Sequence, residues 1–485
     1  DVVYKLSGWA EMFYRKPSIN KNEMIVHPKN QPIDNKNPNN VKKTSTFEYD
    51  IVKDMRYTKP QFQLHLPIVL NFKANSKGYI NDDVRNVLKN SEDTYVIGID
   101  RGERNLVYAC VVDGNGKLVE QVPLNVIEAD NGYKTDYHKL LNDREEKRNE
   151  ARKSWKTIGN IKELKEGYIS QVVHKICQLV VKYDAVIAME DLNSGFVNSR
   201  KKVEKQVYQK FERMLTQKLN YLVDKKLDPN EMGGLLNAYQ LTNEATKVRN
   251  GRQDGIIFYI PAWLTSKIDP TTGFVNLLKP KYNSVSALKE FFSKFDEIRY
   301  NEKEDYFEFS FNYDNFPKCN ADFKREWTVC TYGDRIRTFR DPENNNKFNS
   351  EVVVLNDEFK NLFAEFDIDY TDNLKEQILA IDEKSFYKKL MGLLSLTLQM
   401  RNSISKNVDV DYLISPVKNS NGEFYDSRNY DITSSLPCDA DSNGAYNIAR
   451  KGLWAINQIK QADDETKANI SIKNSEWLQY AQNCD

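Results

Sequence analysis

The chain has 485 residues, 40% hydrophobic and 29% charged, with 70 Lys+Arg balanced by 70 Asp+Glu. That length allows more than one buried core and suggests two to four domains, while a formal net charge of zero argues against a uniformly basic nucleic-acid binder. Six scattered cysteines without a C-x-x-C pair suggest neither a structural zinc site nor a disulfide framework, and a reducing intracellular setting is expected.

In chain order, residues 1–93 mix short strand-like runs with an Asn/Lys/Pro-rich stretch at 21–43, which reads as loop. The first residue, Asp1, already stands in strand-forming sequence, and no signal-peptide order precedes it, so the chain is read as starting inside a larger soluble protein. From Thr94 the pattern changes. TYVIGID and LVYACVV are buried-strand runs, and DGNG before LVEQV supplies the turn of a hairpin. Residues 137–155 are charged and rich in helix formers, and 161–182 carry apolar residues at helical spacing. AVIAMED is a short apolar strand, and 207–223 an amphipathic helix. Between residues 134 and 226 there are 21 Lys/Arg against 13 Asp/Glu, a local excess suited to phosphate contacts if it faces one way.

Between about residues 260 and 437 the periodicity shifts. Phe307, Phe309, Phe311 and Tyr313 alternate with polar residues as on a half-buried strand, which marks an inserted domain. That insertion has no histidine, so a His-based nuclease centre is excluded there. Leu390, Leu394 and Leu398 predict a strongly apolar helix ending at Arg401, where a cation complements the helix dipole. Residues 445–459 return to helical spacing.

Three acids fall at element ends. Asp100 closes VIGID, Glu190 closes AVIAME, and Asp441 lies in DADSNGAYN just before the last helix. Each alone reads as a turn or capping residue. Apolar strands that lie side by side bring Asp100 and Glu190 to one edge of the sheet, where an Asp at a helix start joins them. Crowded carboxylates repel unless cations intervene, and hard oxygen ligands suit Mg²⁺ or Mn²⁺. Two such ions about 3.5–4 Å apart activate a water and stabilise the leaving oxygen of a phosphodiester.

IGIDRGERNL (97–106), AMEDLNSGF (188–196) and DADSNGAYNIA (439–449) resemble the three split segments of the RuvC-like nuclease domain in type V-A CRISPR effector nucleases. So do GYISQVVHKI, KVEKQVYQKFE, IPAWLTSKIDPTTGFVN, LQMRNS and DYLISPVKNSNGEFYDSRNY, in the same order. The resemblance implies an α/β fold, an RNase H-like mixed sheet with flanking helices, split by an inserted α+β Nuc domain and preceded by a mainly β wedge segment. Its boundaries would be a wedge segment at 1–93, RuvC-like segment I at 94–136, a bridge helix at 137–155, segment II at 156–262, the Nuc domain at 263–437 and segment III at 438–485. It implies an RNA-guided DNA endonuclease of the prokaryotic cytoplasm, with Asp100, Glu190 and Asp441 holding two Mg²⁺ ions and one site cutting both strands. The partners would be guide CRISPR RNA, double- and single-stranded target DNA and an N-terminal recognition portion absent from this chain.

By the same resemblance Arg401 handles the substrate strand, with Ser403 and Asp411 nearby, and Trp155 inserts from the bridge helix into the recognition lobe. Without the resemblance, Trp155 anchors its helix to a core. His27, Lys36 and Lys53 match a site that trims precursor guide RNA by metal-free acid-base chemistry. A transposon-encoded RuvC-like nuclease is one alternative. An actin- or chaperone-like ATPase is another, although Arg101, Glu103 and Arg104 are bulky where a phosphate loop needs small residues.

Overall fold

A computed structural model of the protein describes residues 77–483 apart from 102–106, 129–131, 133, 138, 141–142, 144–160, 192–201, 245–251, 279–283, 317–323 and 405–406, and before residue 77 it describes strands alone. His27, Lys36, Lys53 and Trp155 lie outside the described residues. The chain divides into two units, Asp1–Ala74 with Lys225–Ala238 and Asn75–Asp224 with Tyr239–Asp485. In the first, strands pair antiparallel in nested order: Lys5–Leu6 with Ile68–Val69, Glu11–Arg15 with Gln61–His65, and Ile19–Val26 with Ser45–Val52.

The second unit opens with α1 (Asn81–Asn90) and builds a six-stranded sheet from β1 (Val96–Asp100), β2 (Tyr108–Val112), β3 (Leu118–Pro123), β4 (Val186–Glu190), β5 (Gln253–Asp254) and β6 (Ile257–Ile260). The order across the sheet is β5-β6-β4-β1-β2-β3. The β1-β2-β3 meander is antiparallel, as the Asp113–Gly116 turn predicts. β4 pairs in parallel with both β1 and β6. Parallel pairing requires a long crossover, which contains α2 (Ile161–Tyr183) between β3 and β4 and α3 (Lys202–Asn220) between β4 and β6. Every residue of β1 and β2 is buried, the pattern of a strand covered on both faces.

α4 (Ala440–Gln461) lies across this sheet with its small residues against the strands. A Cβ on Gly98 of β1 would collide with the carbonyl oxygen of Ala445 and the amide nitrogen of Ala449. A Cβ on Gly452 would stand 2.6 Å from the Ala188 methyl of β4 and 3.0 Å from Val96. Helix and strand therefore run in opposite senses, and the first turn of α4 rests over the end of β1.

A second core forms within residues 274–440. It joins an antiparallel sheet of Glu297–Asn301, Tyr306–Asn312 and Glu326–Cys330 to the helices Leu355–Glu365, Leu374–Ala380 and Lys384–Thr397. The alternating strand is covered more fully than its pattern predicts. Phe307, Phe309 and Phe311 are buried, and Glu308 on the other face is also buried, paired with Arg299 at 2.7 Å. The apolar helix stops at Thr397, and Arg401 opens the strand Arg401–Ile404. Arg401 therefore does not complement a helix end. Among the described residues no helix is long and apolar enough to cross a membrane.

Replacing Gly98 with Ala forces the helix backbone away from β1, because the colliding atoms are main chain and cannot rotate aside. The expected cost is about 1–3 kcal/mol or more, measured as a lower urea midpoint; an unchanged midpoint would contradict the close approach.

Candidate active site

Met189 pairs with Ile99 across the parallel ladder, so Glu190 and Asp100 leave the sheet side by side at the ends of β4 and β1. Asp441 arrives from above. It sits within the first turn of α4 and not before the helix, as the sequence suggests, since the N-cap is Asp439, whose carboxylate accepts from the Ser442 amide at 2.7 Å. An acid in that turn is favoured by the positive end of the helix dipole. A Cβ on Gly444 would overlap the Asp100 carboxylate. Glycine at this position is what lets the Asp100 side chain lie against the turn that carries Asp441.

Asp100 and Asp441 are buried, and the Glu190 side chain is 15% exposed. Burial, followed by the charges of Glu190 and Asp441, holds the Asp100 carboxyl well above the ordinary carboxylate range. The Arg101 amide, 2.7 Å from Asp100 Oδ1, and the Arg101 charge offset part of this.

Two guanidiniums enter the cluster. Arg101 Nη2 lies 3.1 Å from Glu190 Oε2, and its Cζ stands 5.1 Å from the centroid of the Tyr208 ring. Arg401 grips Asp411 with two donors, Nε to Oδ1 at 3.1 Å and Nη2 to Oδ2 at 2.7 Å, and Nη2 also lies 3.2 Å from Asp441 Oδ1. Burial pulls the Arg401 guanidinium down, but the Asp411 hydrogen bonds and the charges of Asp411, Asp441 and Asp100 outweigh it and hold it above its ordinary value. Arg401 is thus a fixed cation at the rim of the acids. Ser403 is exposed and pairs in register with buried Asp411.

The opposite face of α4 fixes the remaining wall. Asn443 donates to the Ile268 carbonyl at 2.9 Å, Asn447 to Thr265 at 3.0 Å, and Lys451 to Pro261 at 2.9 Å and Trp263 at 2.5 Å. These bonds bring Thr265 to Glu190, whose Oε1 accepts from the Thr265 hydroxyl at 3.1 Å. Burial pulls the Lys451 ammonium down to about 7, with the Glu190 charge opposing. Sequence reading did not assign Thr265, Gly444 or Lys451 a role. The signal for two of them was membership of the long motifs, with Thr265 within IPAWLTSK and Gly444 within DADSNGAYN, whereas Lys451 lies outside every motif.

Three carboxylates, all oxygen donors, suit a hard divalent cation, and the upward push on Asp100 by the other two acids is repulsion that a cation would relieve. The donor chemistry fits. Among the described residues, however, no three His, Cys, Asp or Glu side chains are already gathered as a metal shell; Glu190 and Asp441 are held by Arg101 and Arg401 instead. In comparison with known protein families, residues 74–485 match the RuvC nuclease domain.

The raised Asp100 carboxyl makes a stability prediction. A folded-state pKa above the unfolded value means that the native form loses stability as pH rises from about 4 through the folded value. In chelator at neutral pH, Asp100→Asn is expected to be more stable than the unsubstituted protein, with the difference vanishing below about pH 4. Urea unfolding at the two pH values checks it; a neutral-pH loss of stability would contradict the crowding of the acids.

Proposed function

This chain belongs to the RuvC nuclease family, and on that premise we propose that it is the catalytic portion of a CRISPR RNA-guided DNA endonuclease that cuts both strands at one centre. It is a nuclease acting on nucleic acid; the guided role rests on the motif resemblance. The observation that carries the assignment of the centre is the convergence of Asp100 and Glu190 on adjacent parallel strands with Asp441 on the helix pressed against them. The family match weighs against the ATPase reading. The N-terminal motifs and the long histidine-free insertion weigh against a transposon-encoded enzyme.

In this reading Asp100, Glu190 and Asp441 hold two Mg²⁺ ions, for which Mn²⁺ substitutes. When bound, the ions supply an activated water and stabilise the departing oxygen. The protein does the rest. The N–H of Arg101 and the hydroxyl of Thr265 orient the Asp100 and Glu190 carboxylates. Arg401, braced by Asp411, offers a forked donor to the phosphate of the strand entering beside Asp441, and Ser403 lines that approach. The basic segment 134–226 contributes phosphate contacts, and Trp155 couples this portion to the recognition portion. In the N-terminal segment His27, Lys36 and Lys53 trim precursor guide RNA by attack of a ribose 2′-hydroxyl, without an ion. The partners are the guide RNA, the DNA target and the recognition portion of the same effector.

Strand-resolved cleavage by a guide-loaded complex reconstituted with the recognition portion tests this. Asp100→Ala, Glu190→Ala or Asp441→Ala is expected to stop cleavage of both strands while guided DNA binding persists. Arg401→Ala is expected to slow the strand that must be led into the site more than the other. Normal cutting of one strand by Asp100→Ala would establish a second centre and overturn the proposal. Precursor RNA trimming is expected to survive EDTA and to fail in His27→Ala; loss in EDTA with the fold intact would remove the metal-free assignment.

A further inference from the structure

Gln121 occupies an unusual position for a residue on an outer strand. It stands on β3, at the end of the sheet order, yet it is 3% exposed. Its amide nitrogen donates to three carbonyl oxygens of one segment, Asp431 at 3.0 Å, Ser434 at 3.2 Å and Leu436 at 3.0 Å. Its Oε1 accepts from the Cys438 amide at 3.2 Å and from the Ser442 hydroxyl at 2.5 Å. One side chain thus fastens the segment that leads into α4 and the residue that follows Asp441.

We propose that Gln121 is the positioning residue for Asp441: through Ser442 and the 431–438 segment it sets the height and rotation of the first turn of α4, and so the place of the Asp441 carboxylate beside Asp100. The physical reason is the completeness of its bonding. Both amide hydrogens and the amide oxygen are engaged, in a buried setting where an unmade bond is costly. The helix cannot slide along β1 without breaking the Ser442 bond, and the segment before it cannot lift without breaking the three carbonyl bonds. A carboxylate in place of the amide would present an oxygen to those three carbonyls. The close approach at Gly98 and Gly444 fixes the distance of α4 from the sheet, whereas Gln121 fixes where its first turn stops.

This inference rests on the proposed use of Asp441 as a cation ligand, and its test includes a readout other than cleavage. Mn²⁺ binding to the full chain is followed by electron paramagnetic resonance, alongside thermal unfolding. Gln121→Met keeps the length and removes every side-chain bond; groups bonded directly to a metal ligand are worth about 10–100-fold in affinity, and for Gln121, which acts through Ser442, the Mn²⁺ midpoint is expected to rise by about tenfold, the low end of that range. Tyr387→Phe, which loses a buried bond to the Ile378 carbonyl in the second core, is expected to lower the melting temperature with the midpoint unmoved. Ser442→Ala removes one of the five Gln121 bonds together with a contact to the Cys110 thiol at 3.6 Å; it is expected to shift the midpoint in the same direction by less, and it carries the test should Gln121→Met fail to fold. An unshifted midpoint in a folded Gln121→Met, or in Ser442→Ala where the first variant is lost, reduces Gln121 to a fastener of the fold and overturns the inference. Absence of Mn²⁺ binding by the unsubstituted protein overturns the cation reading itself.

Discussion

The first turn of α4 reaches the end of β1 only because no Cβ stands between them. Gly98 lets the backbone of Ala445 and Ala449 lie against the strand, Gly444 gives the Asp100 carboxylate room beside the helix, and Gly452 seats the middle of the helix on Ala188 and Val96. An ordinary helix on a sheet is held off by its side chains. Here small residues bring main chain to main chain, and an acid on the helix thereby joins acids on the strands. The polar face of the same helix uses Asn443, Asn447 and Lys451 to carry the 261–268 segment, and with it Thr265, to Glu190. One helix positions two sides of the cluster.

The electrostatics follow from that compression. Three acids at one edge, two buried and one nearly so, would oppose folding if all were ionised and alone. Arg101 and Arg401 lower that cost, each from a different part of the chain, and Asp411 in turn holds Arg401 in place. Since Arg401 belongs to the strand that follows the second core's helices, its placement ties that core to the acids. A cluster balanced by guanidiniums in this way is suited to accept cations and a phosphodiester together, because the phosphate offers the guanidiniums a new partner as the carboxylates turn to the ions.

Much of this was legible in the sequence, for local reasons. Asp100 and Glu190 end apolar runs whose length and composition specify buried strands, so their place at a sheet edge follows from the pattern. The meander of β1 to β3 follows from the turn residues after Val112. The apolar spacing of the last helix begins only at Ala445, which leaves Asp441 before it, whereas the helix opens at Ala440 with Asp439 as its cap, because its first turn is polar. Arg401 was read as a helix end because Leu398 continues the apolar spacing past Thr397, where the helix stops. Gln121 could not be found by periodicity. All the partners of its side chain lie more than 300 residues away in the chain, and a polar residue on an outer strand ordinarily faces water. Lys451 was hidden for a related reason: a lysine on a helix reads as solvated until the carbonyls that receive it are in view.

In the proposed reading the close-packed helix makes a divalent-cation site of Asp100, Glu190 and Asp441. Anomalous diffraction from Mn²⁺-soaked crystals of the chain with a short DNA tests it most directly. Manganese density is expected among the three carboxylates, with Arg401 turned from Asp441 toward a phosphate. Manganese bound elsewhere, with Arg101 and Arg401 still on Glu190 and Asp441 and DNA present, would contradict it.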